Sequence, residues 1–164
     1  MTRRVWVLMV ALALPVGGAG DAALDRATLR GVKAFSVVID PVAPEIQNQG
    51  ATADGLRDRL EERLRDAGLK VDPASREFVG LRLMSVRAAR GPFAIAASIA
   101  LYQPVTLVRD SNLKTATQTW EVGTVVLADT KQVKRACLDS VDELAARFVT
   151  AYQSVNAKGV ERDK

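Results

Sequence analysis

Seven apolar residues near the C-terminus, Val133, Cys137, Val141, Leu144, Phe148, Tyr152 and Val155, recur at steps of three and four. This is the strongest periodicity in the chain. It predicts a long amphipathic helix running from a cap at Asp129 or Thr130 to about Asn156. An apolar stripe of that length has to be buried against a second layer. The segment Phe93 to Val108 supplies one. Apolar Phe93, Ile95, Ala97, Ile99, Leu101, Val105 and Leu107 alternate with small Ala94, Ala96, Ser98 and Ala100, followed by Tyr102. A period of two is that of a strand with one face turned to the helix. Pro104, which has no ladder donor, requires an edge, a bulge or a bend.

The remaining elements follow from the same two periods. Leu29 to Asp40 reads as a strand stopped by Pro41 and Pro44, and residues 41–53 as a polar loop. Thr52 is placed to cap a helix to Ala67. Its Leu56, Leu60 and Leu64 form one stripe, and Gly68 stands where a C-terminal glycine ends such a helix. Leu69 to Val71 is a short extended piece. Phe78 to Ala88 is a strand with Val79, Leu81 and Leu83 on one face and Arg82 on the other, and it turns through Ala89-Arg90-Gly91-Pro92. Ala116 to Ala128 is a further strand carrying Trp120, Val122 and Val126 on one face. The order β-α-(β)-β-β-β-α predicts an α+β fold, with an antiparallel sheet of three to five strands and two helices packed on one face.

Composition enters at the N-terminus. Arg3 and Arg4, the apolar run Val5 to Leu14, Pro15, and the small residues Gly17 to Gly20 have the order of a secretory signal peptide. The apolar run is much shorter than the roughly 20 residues that span a bilayer. No cysteine follows it, so there is no lipobox. We expect residues 1–22 to be a leader cleaved after Gly20 or Ala22, residues 23–156 to be one domain, and residues 157–164 to be a disordered tail. The expected location is the periplasm or the exterior, with no membrane span after cleavage. Removing residues 1–20 takes away two arginines and no acids, leaving 21 basic against 19 acidic residues, so the net charge falls from +4 to +2. That balance carries no electrostatic footprint for nucleic acid.

Catalytic signals are sparse. The chain has no histidine, which removes the commonest general base and metal ligand, and Cys137 is its one cysteine. On the apolar stripe, Cys137 reads as an inert core thiol. Ser36 and Ser98 lack a nucleophile-elbow context, and the carboxylates Asp40, Glu45, Asp72, Glu77, Asp110 and Glu121 are scattered. The expectation is no catalytic residue, no metal site, no cofactor and a non-enzymatic protein. Two candidate surfaces stand out. The first is Ala94, Ala96, Ser98, Ala100 and Tyr102, a strand face with too little polar cover for solvent and open to a partner. The second is a weak anion contact at Arg82, Arg87 and Arg90. The predicted function is envelope binding or adaptor work, with an envelope protein or a second copy as partner. The alternative is a histidine-free hydrolase or small-ligand binder using the carboxylates or arginines.

The segments LRGVKAFSVVID, LEERLRDAGLKV, YQPVTLVRD and TQTWEVG, marked by Gln103, Val105, Thr119 and Trp120, resemble a set of small exported bacterial proteins of unknown function. The order of elements is also similar to periplasmic adaptor domains, such as the N-terminal domain of the Tol-Pal propeller protein and the auxiliary lipoproteins of envelope transporters. The first resemblance implies export. The second implies an α+β architecture. Neither implies a catalytic residue.

Overall fold

The computed structural model describes residues 20–87, 89 and 91–156. The expected leader up to residue 19 and the tail 157–164 lie outside them. The elements are α1 (Ala23–Ala27), β1 (Ser36–Ile39), α2 (Pro44–Gln47), α3 (Ala53–Asp66), β2 (Phe78–Arg87), β3 (Phe93–Leu107), β4 (Asp110–Ala128), a 3-10 turn (Thr130–Gln132) and α4 (Val133–Asn156). The sheet order is β1-β2-β3-β4, and α3 and α4 pack on one face, giving the expected α+β class.

The sheet is mixed rather than wholly antiparallel. β2-β3-β4 is an antiparallel meander, whereas β1 pairs parallel to β2, with Ser36 opposite Phe78 and Ile39 opposite Leu81. A strand followed by a crossover helix and a neighbouring strand returns in the same direction, and α3 is that crossover.

β1 is also shorter than the expected Leu29 to Asp40. Backbone groups before it are bonded to the end of α4 instead of to a ladder. Asn156 Nδ2 donates to the Leu29 carbonyl at 2.9 Å, the Gly31 N–H donates to Asn156 Oδ1 at 2.8 Å, and Tyr152 Oη donates to the Val32 carbonyl at 2.6 Å. The expected loop 41–53 contains α2, opened by Pro44 at its first turn. Val42, Ile46 and Ala51 tuck into the core beside the helices, so this segment lies on the helix side of the sheet.

α3 begins and ends as its sequence requires. Thr52 Oγ1 accepts from the Gly55 N–H at 3.2 Å, and Gly68 follows with φ +80°, a left-handed conformation that a Cβ disfavours. Leu56, Leu60 and Leu64 are fully buried. α4 buries Val133, Cys137, Val141, Leu144 and Phe148 against the sheet. Phe148 meets Trp120 edge-on at 5.2 Å between ring centroids and Phe35 at 5.5 Å.

The N-terminal segment is part of this packing. The Glu121 N–H donates to the Gly20 carbonyl at 3.2 Å. The Asp21 carboxylate accepts from the buried Trp120 Nε1 at 2.9 Å and from Arg26 Nε and Nη2 at 2.7 and 2.6 Å. These charge-assisted bonds hold the Asp21 carboxyl below its usual range, Arg26 contributing most.

Candidate interaction face

Alternation along the strands gives the sheet two unlike faces. Val79, Leu81, Leu83, Phe93, Ile95, Ile99, Leu101, Trp120 and Val122 point to the helices and are buried. The even positions of β3 line the opposite face. Across that face, Ala94 lies between Val86 and Leu127, Ala96 between Met84 and Val125, Ser98 between Arg82 and Gly123, and Ala100 between Gly80 and Glu121. No helix or loop among the described residues covers its upper rows, where Met84, Val86, Val125 and Leu127 are 61–74% exposed.

The small side chains of β3 therefore form the floor of a trough walled by larger ones on β2 and β4. At the usual strand spacing of about 4.8 Å, its walls stand roughly 10 Å apart. The sequence-predicted surface sits here, with differences among its members. Ala94, Ala96, Ser98 and Tyr102 are partly covered, while Ala100 is buried at 4% exposure. Tyr102 stacks flat on Phe78 at 4.7 Å between centroids and 7° between planes. That stack leans over Gly80, where an added Cβ would meet Tyr102 Cε2 at 3.0 Å.

Below the trough a recess of about 260 Å³ opens between Val38, Asp40, Gly80, Arg82, Ala100, Tyr102 and Glu121. Its charges are already engaged. Arg82 Nε donates to Asp40 Oδ2 at 2.7 Å, an interaction that raises the guanidinium pKa. Gln118 Nε2 donates to Glu121 Oε2 at 2.7 Å.

Two of the three arginines of the candidate anion contact, Arg82 and Arg87, do not converge. Arg82 and Arg87 are five residues apart on one strand, and a period of two sends them to opposite faces. Arg87 lies over the Phe93 ring at 4.7 Å and donates to Thr130 Oγ1 at 3.2 Å on the helix side. Arg90 lies outside the described residues. Nearness in sequence to one turn suggested a cluster, but strand parity sends Arg82 and Arg87 to different faces.

Of the scattered carboxylates, Asp40 and Glu121 share the recess below the trough, and others are in local use elsewhere. Glu45 accepts from Ser85 Oγ at 3.0 Å, Glu77 from Gln103 Nε2 at 2.9 Å and Asp110 from the Asn112 N–H at 3.0 Å. Among the described residues, no group of three or more His, Cys, Asp or Glu side chains stands together as metal ligands do. Cys137 is fully buried, and burial pushes its thiol pKa up to about 11.

Sequence reasoning missed the walls of the trough. The available signal was apolar residues at both parities, in Leu83-Met84 and in Val125-Val126-Leu127, on strands with helices for one face only.

No helix among the described residues is long and apolar enough to cross a membrane. The chain matches no family model and no curated protein. A solved structure of a minor lipoprotein from Acinetobacter baumannii is similar to it at a TM-score of 0.30 and 9% identity, over 75% of this chain and 92% of that one.

Proposed function

We propose that this chain is an exported envelope protein that works by docking a macromolecular partner on its open sheet face, without catalysis. The observation that carries the reading is the contiguous group Met84, Val86, Val125 and Leu127, exposed around the Ala94 and Ala96 floor. Single exposed apolar residues are ordinary on a soluble surface, but a rimmed, contiguous group marks a contact surface. The leader-like residues 1–22 support export. The small-ligand alternative has the 260 Å³ recess in its favour, but Asp40 already neutralises Arg82 there.

A photo-crosslinking residue at Val125 in living cells tests the reading. It should give a discrete adduct that disappears when Met84→Lys is added, while the same probe at Asp139 on the exposed side of α4 gives none. Equal labelling from both positions, or no adduct at Val125, would sink the docking role.

A further inference from the structure

Three registers of small residues near the end of the leader satisfy a signal peptidase: Gly17-Gly18-Ala19, Gly18-Ala19-Gly20 and Gly20-Asp21-Ala22. The fold distinguishes among them, because the residues that follow each cut differ in what they do in the folded protein. A cut after Ala22 removes Asp21. That strips the buried Trp120 Nε1 of its acceptor at 2.9 Å and Arg26 of its two-pronged carboxylate. A buried donor left without a partner is costly. A cut after Gly20 keeps Asp21 but removes the carbonyl that accepts the Glu121 N–H at 3.2 Å. Gly20 is itself fitted to β4. Its φ is +102°, and a Cβ there would stand 2.8 Å from the Glu121 carbonyl oxygen, so a side chain is excluded on both counts.

We infer that the leader is hydrolysed at the Ala19–Gly20 bond, so that the mature chain begins at Gly20 and Gly20-Asp21 latch the N-terminus onto β4. Water is added across that amide by a membrane-bound signal peptidase, leaving a carboxylate on Ala19 and an ammonium on Gly20. Gly17 and Ala19 then occupy the two positions that demand small side chains. Every contact of residues 20–22 with the domain is retained. The same contacts imply an order of events. Gly20 is held against β4 in the folded domain, so the bond is cut while the segment is still extended, before the latch closes.

The inference rests on the export reading, and the two can fail separately. The full chain, directed to the periplasm of a Gram-negative host, is recovered and its intact mass measured. A mature species beginning at Gly20 is expected. Ala19→Leu places a large side chain at the last leader position and should reduce processing at least tenfold. In either alternative register that position tolerates the change. Asp21→Ala, in the mature protein, should lower Tm by several degrees. A start at Asp21 or Ala23, normal processing of Ala19→Leu, or an unchanged Tm for Asp21→Ala each overturns the latch assignment alone. Recovery of wild-type chain uncut in the membrane fraction overturns the export reading with it.

Discussion

Two buried positions on α4 make opposite demands of a hydroxyl. Cys137 is a small hydrophobe at 0% exposure. Cys137→Ser puts a hydroxyl into that apolar site and should cost about 1–2 kcal/mol, read from urea denaturation. The native thiol should resist bulky alkylating reagents at pH 8, since it is both buried and held above its usual pKa. One turn later Ser140 is 2% exposed, and its hydroxyl has no hydrogen-bond partner among the described residues. Ser140→Ala removes that unsatisfied group and improves helix propensity, so it should stabilise the protein by up to about 1 kcal/mol. Asp142 ties α4 to α3 by accepting from both Arg59 and Arg63 at 2.7–2.8 Å. The bonds from Arg63 and Arg59 outweigh burial and bring its carboxyl from 3.8 to about 2. A carboxyl with a depressed folded pKa contributes stability above its unfolded value, here near pH 4 and upward. That contribution is lost as pH falls through about 2. The shift corresponds to at most about 2.5 kcal/mol at low salt, and less once screening of these partly exposed arginines is counted. The Tm gap between wild type and Asp142→Asn should therefore be present at pH 7 and closed near pH 2. A gap that persists at pH 2 would contradict the assignment.

At the scale of elements, β3 and β4 are longer than the sheet needs. β2 begins at Phe78, opposite Tyr102, so from Gln103 onward β3 pairs with β4 alone and the two form a ribbon reaching beyond the other strands. A bulge at Leu101/Tyr102 marks the departure point. Gln103 clamps it, donating to Glu77 and accepting from Thr119 Oγ1 at 2.7 Å. Pro104 is tolerated because it lies past the last β2 partner, on an edge. The early start of β4, at Asp110 rather than the expected Ala116, was illegible for a physical reason. Residues 110–118 are exposed, so no buried face imposes an alternating pattern on them. An uncovered two-stranded ribbon adds little to stability. Replacing residues 104–116 by Asn-Gly should change unfolding free energy by less than about 1 kcal/mol and leave the near-ultraviolet circular dichroism of the core intact. Loss of that signal would place the ribbon within the folding unit. The two long helices, in contrast, were legible to within a few residues, because Thr52, Gly68 and the apolar stripes of α3 and α4 act locally, whereas the short α1 and α2 carry no such stripe.

For the whole molecule, one sheet with helices on a single side leaves the other side to solvent or to a partner. Met84 and Val125 are so exposed that charge there removes little native packing. Met84→Lys combined with Val125→Glu should therefore keep Tm within about 2 °C of wild type. The same variant should bind less of a hydrophobic dye such as bis-ANS, measured by fluorescence. Unfolding of this variant would mean that the face is internal core. Ala100 is unsuitable for such a test, since its burial against Gly80 and Glu121 makes any large side chain destabilising.

The amino-acid sequence by itself determined the class of each long element, the residues that face the core and the burial of Cys137, because period, capping and strand parity are properties of neighbours in the chain. Four features depended on the tertiary structure. The parallel pairing of β1 follows from where α3 crosses. The shortening of β1 follows from bonds that Asn156 and Tyr152 supply from the far end of the chain. That Arg87 and not Arg82 lies on the helix side follows from which face the helices cover. The trough needs three strands side by side, bringing Met84, Ala96 and Val125 into one row although Met84 and Val125 are 41 positions apart in sequence. Contacts between distant segments are invisible to local pattern, and in this protein they make both the candidate docking face and the Asp21–Trp120 latch.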